Sequence, residues 1–278
     1  MSIVVVVKVS EGLVLAADSA ATLTGRIQEP DGVKEGVLKT FYNARKLLQI
    51  GDFSIGVLTW GNAFIEPRTV ESHICEWEQN QPWWRLKAEG TKPYGHGYGS
   101  VRGCANELFQ HVKSAYDRAY SNLADHDRPV LGMLVAGYSP GSFFPDIWRF
   151  ILPQDTEVHD QRPDRDGKPD FGASWFGLTE PIVRLHFGRD ERAVKLICEK
   201  LNIEEGAARE ALQPLEYPIP FAQMPLQDAI EYAHYLVTVV VGRYRFVLGP
   251  ELCGGEIDIA AITQNEFKWI MQKSLKMR

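Results

Sequence analysis

The first residues of the chain form two almost continuous apolar runs separated by a short polar turn. Residues 3–9 and 13–17 are apolar at nearly every position, and Ser10-Glu11-Gly12 lies between them. Two short runs joined by a compact turn predict a β-hairpin. Strands that are apolar on both faces are typical of sheets covered on both sides. The chain is therefore expected to open with a hairpin inside a layered structure.

The remaining apolar patterns come in alternating groups of strands and helices. A second hairpin is expected over residues 46–50 and 53–59, after a polar excursion over residues 22–43. Helical periodicity predicts helices at 66–79, 101–124, 180–187, 191–201 and 226–247. Further strands are predicted at 130–137, 147–152, from 173, at 256–263 and at 267–270. This order predicts an α+β fold, a four-layer αββα sandwich in one domain over residues 1–278.

One stretch does not fit this alternation. Residues 80–100 are rich in Pro, Gly and aromatic residues, which indicates an insertion or a long ordered loop. Its aromatic residues favour a subunit contact or a loop anchor, with a substrate surface as the alternative. They are Trp83, Trp84, Tyr94 and Tyr98.

Net charge and hydropathy indicate which kinds of partner, such as nucleic acid or a membrane, the chain is not expected to bind. The formal net charge is −6, and no stripe of basic residues interleaved with aromatics occurs, so nucleic acid is not an expected partner. The longest apolar stretch after the opening hairpin, residues 235–241, is far shorter than the roughly 20 residues of a membrane span. No basic leader precedes the first apolar run. We therefore expect no membrane contact, no signal peptide and a cytoplasmic location.

Cysteine and histidine spacing gives no sign of a metal or a cofactor. The four cysteines are scattered without CxxC spacing, and the seven histidines show neither HxxxH nor HxH spacing. Buried thiols in a reducing compartment are the simplest interpretation. No metal site and no cofactor are predicted.

The residue after the initiator methionine is a candidate nucleophile. Ser2 runs directly into the first buried strand, whereas a chain terminus is more often a solvated tail. If Met1 is removed, Ser2 carries a hydroxyl and a free α-amino group on one residue. An α-amine has a pKa of about 8, so it can serve as a general base near neutral pH.

Three stretches of the sequence resemble proteasome β-type N-terminal nucleophile hydrolases, and among them the bacterial ancestral β-subunit group. They are Ser2 with Lys8 and the run EGLVLAADS (11–19), KLLQI (46–50) followed by GVLTWG (56–61), and GGEIDI (254–259). The resemblance follows the order of elements through most of the chain. It is specific over the first 61 residues and looser afterwards.

The resemblance implies roles for particular residues. Ser2 would be the nucleophile, Lys46 the lysine beside it, and Asp18 the acid that holds this lysine. Gly61 would offer its backbone N–H to the oxyanion, and Ser174 would support the amino terminus. The residues expected to bind substrate are Ala21, Ala44, Leu48 and Thr59.

Each assignment has a simpler alternative. Asp18 can cap a turn at the end of its strand, and Gly61 can be a turn residue between strand and helix. Lys34 and Lys39 compete with Lys46, because the excursion over residues 22–43 is longer than the resemblance predicts. We favour Lys46 because it begins a strand that returns beside the hairpin.

The chain also departs from the resembled family. It has serine where proteasomal β subunits have threonine, so it lacks the methyl group that restrains the side-chain rotamer. The Asp and Ser that usually brace the terminal amine are replaced in the stretch PELCGG (250–255), where Glu251 and Cys253 stand. Reduced or altered activity is compatible with these departures.

The function implied is hydrolysis of peptide amide bonds in peptides or unfolded protein segments, after Met1 removal. A catalytically weak or inactive structural subunit and an amidohydrolase of small amides are the alternatives. The resemblance also implies a homo-oligomer, as a ring or a helical stack, and leaves room for an ATP-dependent unfoldase as a partner.

Overall fold

The computed structural model describes residues 2–29, 32–81 and 100–274. Most of the predicted insertion around residues 80–100 lies outside these ranges, and so do its four aromatic residues.

The described residues contain fourteen strands and six α-helices. The strands are β1 (Ile3–Val9), β2 (Gly12–Ala17), β3 (Ala21–Glu29), β4 (Gly32–Phe41), β5 (Leu47–Gln49), β6 (Ile55–Gly61), β7 (Phe64–Ile65), β8 (Arg68–Thr69), β9 (Leu131–Gly137), β10 (Asp146–Leu152), β11 (His159–Asp160), β12 (Gly172–Gly177), β13 (Asp258–Ile262) and β14 (Phe267–Met271). The helices are α1 (Val70–Gln79), α2 (Val101–Ala119), α3 (Glu180–Phe187), α4 (Glu191–Leu201), α5 (Glu205–Leu212) and α6 (Leu226–Arg245). None of these helices is long and apolar enough to cross a membrane.

The opening hairpin lies inside a five-stranded antiparallel sheet. The strand order is β12-β1-β2-β13-β14, so the first two strands have a neighbour on each side. Every residue of β1 and β2 is buried. This confirms the prediction from the two nearly continuous apolar runs, because strands covered on both faces need mostly apolar side chains on both faces.

The second hairpin belongs to another five-stranded antiparallel sheet. Its order is β11-β10-β9-β6-β5. Strands β5 and β6 are the predicted pair, with Leu48 opposite Val57. Both sheets therefore combine a local hairpin with strands from distant parts of the chain.

Three hydrophobic clusters connect the sheets and helices. Alternate residues of β1 point to opposite faces, as a strand requires. Val5 and Val7 pack with residues of α6, such as Ala233. Val4 and Val6 instead pack with residues of the second sheet, such as Leu58. The third cluster joins the other face of the second sheet to α1 and α2. The fold is mixed α/β, with several sheets and helices on them.

Some elements differ from the prediction. Residues 22–43 lie mostly in a β-hairpin, β3 with β4, which forms a two-stranded sheet of its own. A polar two-stranded ribbon lacks the buried face that makes strands recognisable from sequence. Helix α1 begins at Val70, because Thr69 caps it by accepting a hydrogen bond from the Ser72 N–H. Helix α5 was not predicted.

Candidate active site

Ser2 lies at the entry of β1 and is 4% exposed. Its carbonyl accepts a hydrogen bond from the Leu178 N–H at 2.8 Å. This bond continues the pairing of β1 with β12, in which Ile3 lies opposite Gly177. The backbone of Ser2 is therefore held in the sheet.

Asp18 follows the end of β2, which runs antiparallel to β1 and so returns to the level of Ser2. Its carboxylate is fully buried and accepts at least four hydrogen bonds. The donors are the N–H of Ile3 at 2.9 Å, of Ala20 at 3.1 Å and of Gly254 at 3.0 Å, and the Lys46 Nζ at 2.6 Å. A buried carboxylate needs this kind of compensation. Its role thus exceeds that of a turn cap.

Lys46 is the lysine that reaches Asp18. It lies just before β5 and is 4% exposed. Burial lowers the pKa of Lys46 from the usual lysine value, and the adjacent Asp18 carboxylate raises it in part. Of the two competing lysines, Lys34 and Lys39 both lie on β4, and Lys39 is exposed. The structure therefore places Lys46, and not Lys39, in a buried ion pair.

A pocket of about 420 Å³ opens between these elements. Six of the predicted site residues line it: Ser2, Ala21, Ala44, Lys46, Thr59 and Gly61. One concave surface thus brings together Ser2 just before β1, residues of β3 and β6, and the segment before β5. Asp18 lies beneath it and joins the β1 backbone to Lys46.

The strand geometry directs the Gly61 N–H toward this pocket. The Asn62 N–H donates to Val130 on the β9 side, whereas the Thr59 N–H donates to Lys46 on the β5 side. Because N–H groups alternate along a strand, the N–H of Gly61 points to the same side as that of Thr59. Strand β5 does not extend far enough to pair with it.

Gly61 also has a conformation that favours glycine. Its φ is +84°, and a Cβ at this position would lie 2.3 Å from the Val130 carbonyl oxygen. The turn that follows β6 therefore depends on a glycine at this position.

Two predicted residues lie elsewhere. Ser174 is opposite Val6 in the β1–β12 register, four residues beyond Ser2, or about 13 Å along the strand. It lines a separate cavity, and its hydroxyl lies near the Gln161 side chain. The antiparallel register therefore places Ser174 away from the amino terminus, whereas the sequence resemblance implied a position beside it. Leu48 lines a pocket next to the first one, on the other side of Arg45.

The stretch over residues 250–255, which departs from the resembled pattern, contributes one backbone group to the site. The Gly254 N–H binds Asp18, a backbone contact that side-chain reasoning missed. Cys253 is buried, and burial raises its thiol pKa to about 12. It therefore remains a neutral thiol near neutral pH. Glu251 accepts a hydrogen bond from the Tyr42 hydroxyl at 2.7 Å.

A second buried ion pair supports the segment after Asp18. Lys273 donates to Asp258 and, at 2.8 Å, to the Ser19 hydroxyl. The Ser19 hydroxyl in turn donates to the Glu256 carbonyl at 2.5 Å. No local motif in the sequence indicates this pair, because Asp258 and Lys273 meet only through the pairing of β13 with β14.

Comparisons with known proteins give a likeness of fold. No family model matches the chain, and no curated protein matches it. Several solved structures are similar to it, among them three that match nearly the whole chain. An ancestral beta-subunit (Anbu) from Yersinia bercovieri has 13% identity and a TM-score of 0.51, and the match covers 97% of this chain and 87% of that one.

The other two structures give the same result. An Anbu (Gly-1) mutant from Hyphomicrobium sp. strain MC1 has 13% identity and a TM-score of 0.51, with coverage of 98% and 86%. The helical assembly of the Anbu complex from Pseudomonas aeruginosa has 17% identity and a TM-score of 0.55, with coverage of 98% and 88%.

These values correct the assignment made from sequence resemblance. Placing the chain in the proteasome β-type hydrolases, close to the ancestral β-subunit group, was wrong as a statement of family. At 13–17% identity, and with no family model matching, the likeness to Anbu structures is one of fold. The chain has a proteasome-like fold.

Proposed function

We propose that the protein hydrolyses peptide amide bonds through the hydroxyl of Ser2, which becomes the first residue once Met1 is removed. The observation that carries this proposal is the Asp18 carboxylate, which binds both the Ile3 N–H and the Lys46 ammonium beneath a pocket that contains Ser2. A merely structural ion pair has no need to be placed beside a serine in a concave site.

The reaction would proceed in two steps. The Ser2 oxygen attacks the substrate carbonyl carbon while its proton passes to the terminal amine, and the Lys46 ammonium stabilises the developing negative charge. The Gly61 N–H would bind the oxyanion. The amine then gives the proton to the leaving nitrogen, which breaks the C–N bond and leaves an ester on Ser2. Water hydrolyses this ester by the same route and restores the hydroxyl.

The substrate side of the pocket is small and mostly apolar. Ala21, Ala44 and Thr59 line it, and we propose that they contact the substrate residue next to the cleaved bond. Leu48 is left out of this set because it faces the neighbouring pocket. Peptides and unfolded segments fit an open groove of this kind better than folded proteins do.

Two further parts of the proposal concern the fold and the assembly. The three hydrophobic clusters support a four-layer αββα arrangement within one domain. The Pseudomonas aeruginosa protein forms a helical assembly, and we propose that this chain also forms a homo-oligomer. Its exposed apolar residues, Phe143, Phe246 and Leu248 among them, are suited to contacts between copies.

One observation favours a second candidate, a weak or inactive subunit of such an assembly. Glu251, the carboxylate nearest in sequence to the expected brace of the terminal amine, instead binds Tyr42. A terminal amine without a carboxylate partner is held less firmly, which lowers the efficiency of a general base.

Hydrolysis of fluorogenic peptides separates the two candidates. The protein is expected to cleave them, and Ser2→Ala to reduce kcat/KM by more than 10³-fold. Ser2→Thr, which keeps the hydroxyl, is the matched control and is expected to retain activity. Equal rates for the Ser2→Ala variant and the unsubstituted protein would exclude Ser2 as the nucleophile.

A further inference from the structure

Helices α1 and α2 bring two histidines and a carboxylate together outside the pocket that contains Ser2. His73 and Glu76 are three residues apart on α1, so they share one face of the helix. His111 reaches the same place from α2. One potential ligand atom from each residue lies within 4.8 Å of the other two. The distance from His111 Nε2 to Glu76 Oε2 is 3.9 Å.

Among the described residues, each of the two imidazoles has a buried nitrogen without a hydrogen-bond partner. His73 is 7% exposed, and its Nε2 lies 3.1 Å from the Ile65 carbonyl oxygen, so this nitrogen carries the proton and donates. The lone pair of Nδ1 is then free, and Nδ1 has no hydrogen-bond partner among the described residues. His111 Nε2 is also buried, and no hydrogen-bond partner for it lies in the part of the chain that the structure describes. A buried polar atom without a hydrogen-bond partner destabilises the folded state.

The hydrogen bond that His73 makes to the backbone also suits a ligand role. A metal-binding histidine commonly donates its other N–H to a carbonyl, and the contact of His73 with Ile65 is of this kind.

One group opposes a cation. The Arg68 guanidinium lies 2.9 Å from Glu76 Oε2, and it also binds the Ser72 carbonyl. Glu76 and Arg68 are both partly exposed, so their contact can open at small cost.

We propose that His73, Glu76 and His111 form a zinc-binding site with two nitrogen ligands and one oxygen ligand, the fourth position being taken by water. This donor set suits a first-row transition metal and not Ca²⁺ or Mg²⁺, which prefer oxygen ligands. The sequence spacing did not indicate the site, because the two histidines come from different helices. A bound ion would link α1 to α2 and satisfy both free imidazole nitrogens.

The test is a titration of the purified full-length protein with Zn²⁺ alone, in competition with a chromophoric chelator. The protein is expected to bind one ion per chain with submicromolar affinity. His111→Asn and Glu76→Gln are each expected to weaken binding by at least tenfold. His126→Asn is the matched control, because the His126 side chain is 82% exposed and lies outside the cluster.

Folding of each variant is checked by thermal unfolding, since Zn²⁺ is also expected to raise the Tm of the unsubstituted protein and not that of His111→Asn. Two results would overturn the proposal. One is the absence of stoichiometric binding to the unsubstituted protein. The other is binding that His111→Asn and Glu76→Gln leave unchanged.

Discussion

At the scale of single residues, the site depends on one carboxylate. Asp18 compensates the buried Lys46 charge and also fixes the backbone at Ile3 and Gly254. A buried ion pair is weak evidence for stability as a whole, but breaking it from one side leaves an uncompensated charge.

Asp18→Asn is therefore expected to lower the free energy of unfolding by about 3–5 kcal/mol. The double variant Asp18→Asn/Lys46→Met is expected to lose less than Asp18→Asn alone, because no buried ammonium is left without a partner. Urea unfolding of the three proteins measures both effects. If the free energy of unfolding of Asp18→Asn lay within 1 kcal/mol of that of the unsubstituted protein, the Asp18–Lys46 pair would not matter for folding.

The lowered pKa of Lys46 predicts the alkaline side of the pH–rate profile. The ammonium form is the active form, and it is lost as the pH rises through the folded-state pKa. Because burial lowers that pKa, kcat/KM is expected to fall at a pH below the value of about 10.4 at which free lysine titrates.

On the acid side of the same profile, kcat/KM is expected to fall as the terminal amine becomes protonated, because only the unprotonated amine can act as a base. Lys46→Arg is the control for the alkaline side, since a guanidinium keeps its charge to a much higher pH. Any activity that this variant retains is expected to show no alkaline fall. An alkaline fall that is unchanged in Lys46→Arg would mean that another group causes it.

At the scale of elements, two aromatic residues connect the sheets. Trp60 on β6 stacks on Phe176 of β12, with ring centroids 4.4 Å apart. Gly132 on β9 makes room for the indole ring, because a Cβ there would lie 2.0 Å from Trp60 Cε2. The contact therefore depends on a glycine in the middle of a strand.

Gly132→Ala is expected to destabilise the protein by about 1–3 kcal/mol, since the ring has to move within a packed interior. Gly242→Ala is the matched substitution. Gly242 lies in α6, where a Cβ would meet no atom within 4 Å, and alanine there is expected to stabilise the protein by about 0.5–1 kcal/mol. Chemical unfolding of both variants measures the difference. Equal effects of the two substitutions would contradict the described packing.

Together, the predicted and observed elements show how much of the fold and of the candidate site could be predicted from the sequence. Elements with a strong apolar pattern were found with nearly correct bounds, such as β1 and α3. The β3–β4 hairpin and α5 were missed because the side chains described on them add no continuous buried face to the main clusters. In the candidate site, Asp18 directly follows the apolar strand β2 and Lys46 directly precedes the apolar strand β5, so both could be placed. Ser174 was misplaced, because a register error of a few residues cannot be detected in a short strand from sequence alone.

Contacts made by backbone groups or between distant helices were the least predictable. The Gly254 N–H bound to Asp18 and the cluster of His73 with His111 depend on how elements pack, and no local spacing encodes them. The sequence resemblance suggested a family, whereas the comparisons support the fold alone.

At the scale of the whole molecule, the proposed homo-oligomer has a direct test. Sedimentation velocity at micromolar concentration is expected to show species well above the 31.4 kDa of one chain. Leu248 is fully exposed and Phe246 is 82% exposed in the single chain. Replacing both with serine is expected to shift the distribution toward smaller species if this surface contributes. A monomer at all accessible concentrations would contradict the proposal of self-association.

The proposed function requires that Ser2, freed at the amino terminus, be the acylated nucleophile above the Asp18–Lys46 pair. Intact-mass measurement of the native protein, with and without a serine-directed acylating inhibitor, tests this requirement. We expect a mass that lacks Met1 and a single stoichiometric adduct that maps to Ser2 and is absent from Ser2→Ala. A protein that keeps Met1, or an adduct that persists in Ser2→Ala, would contradict it.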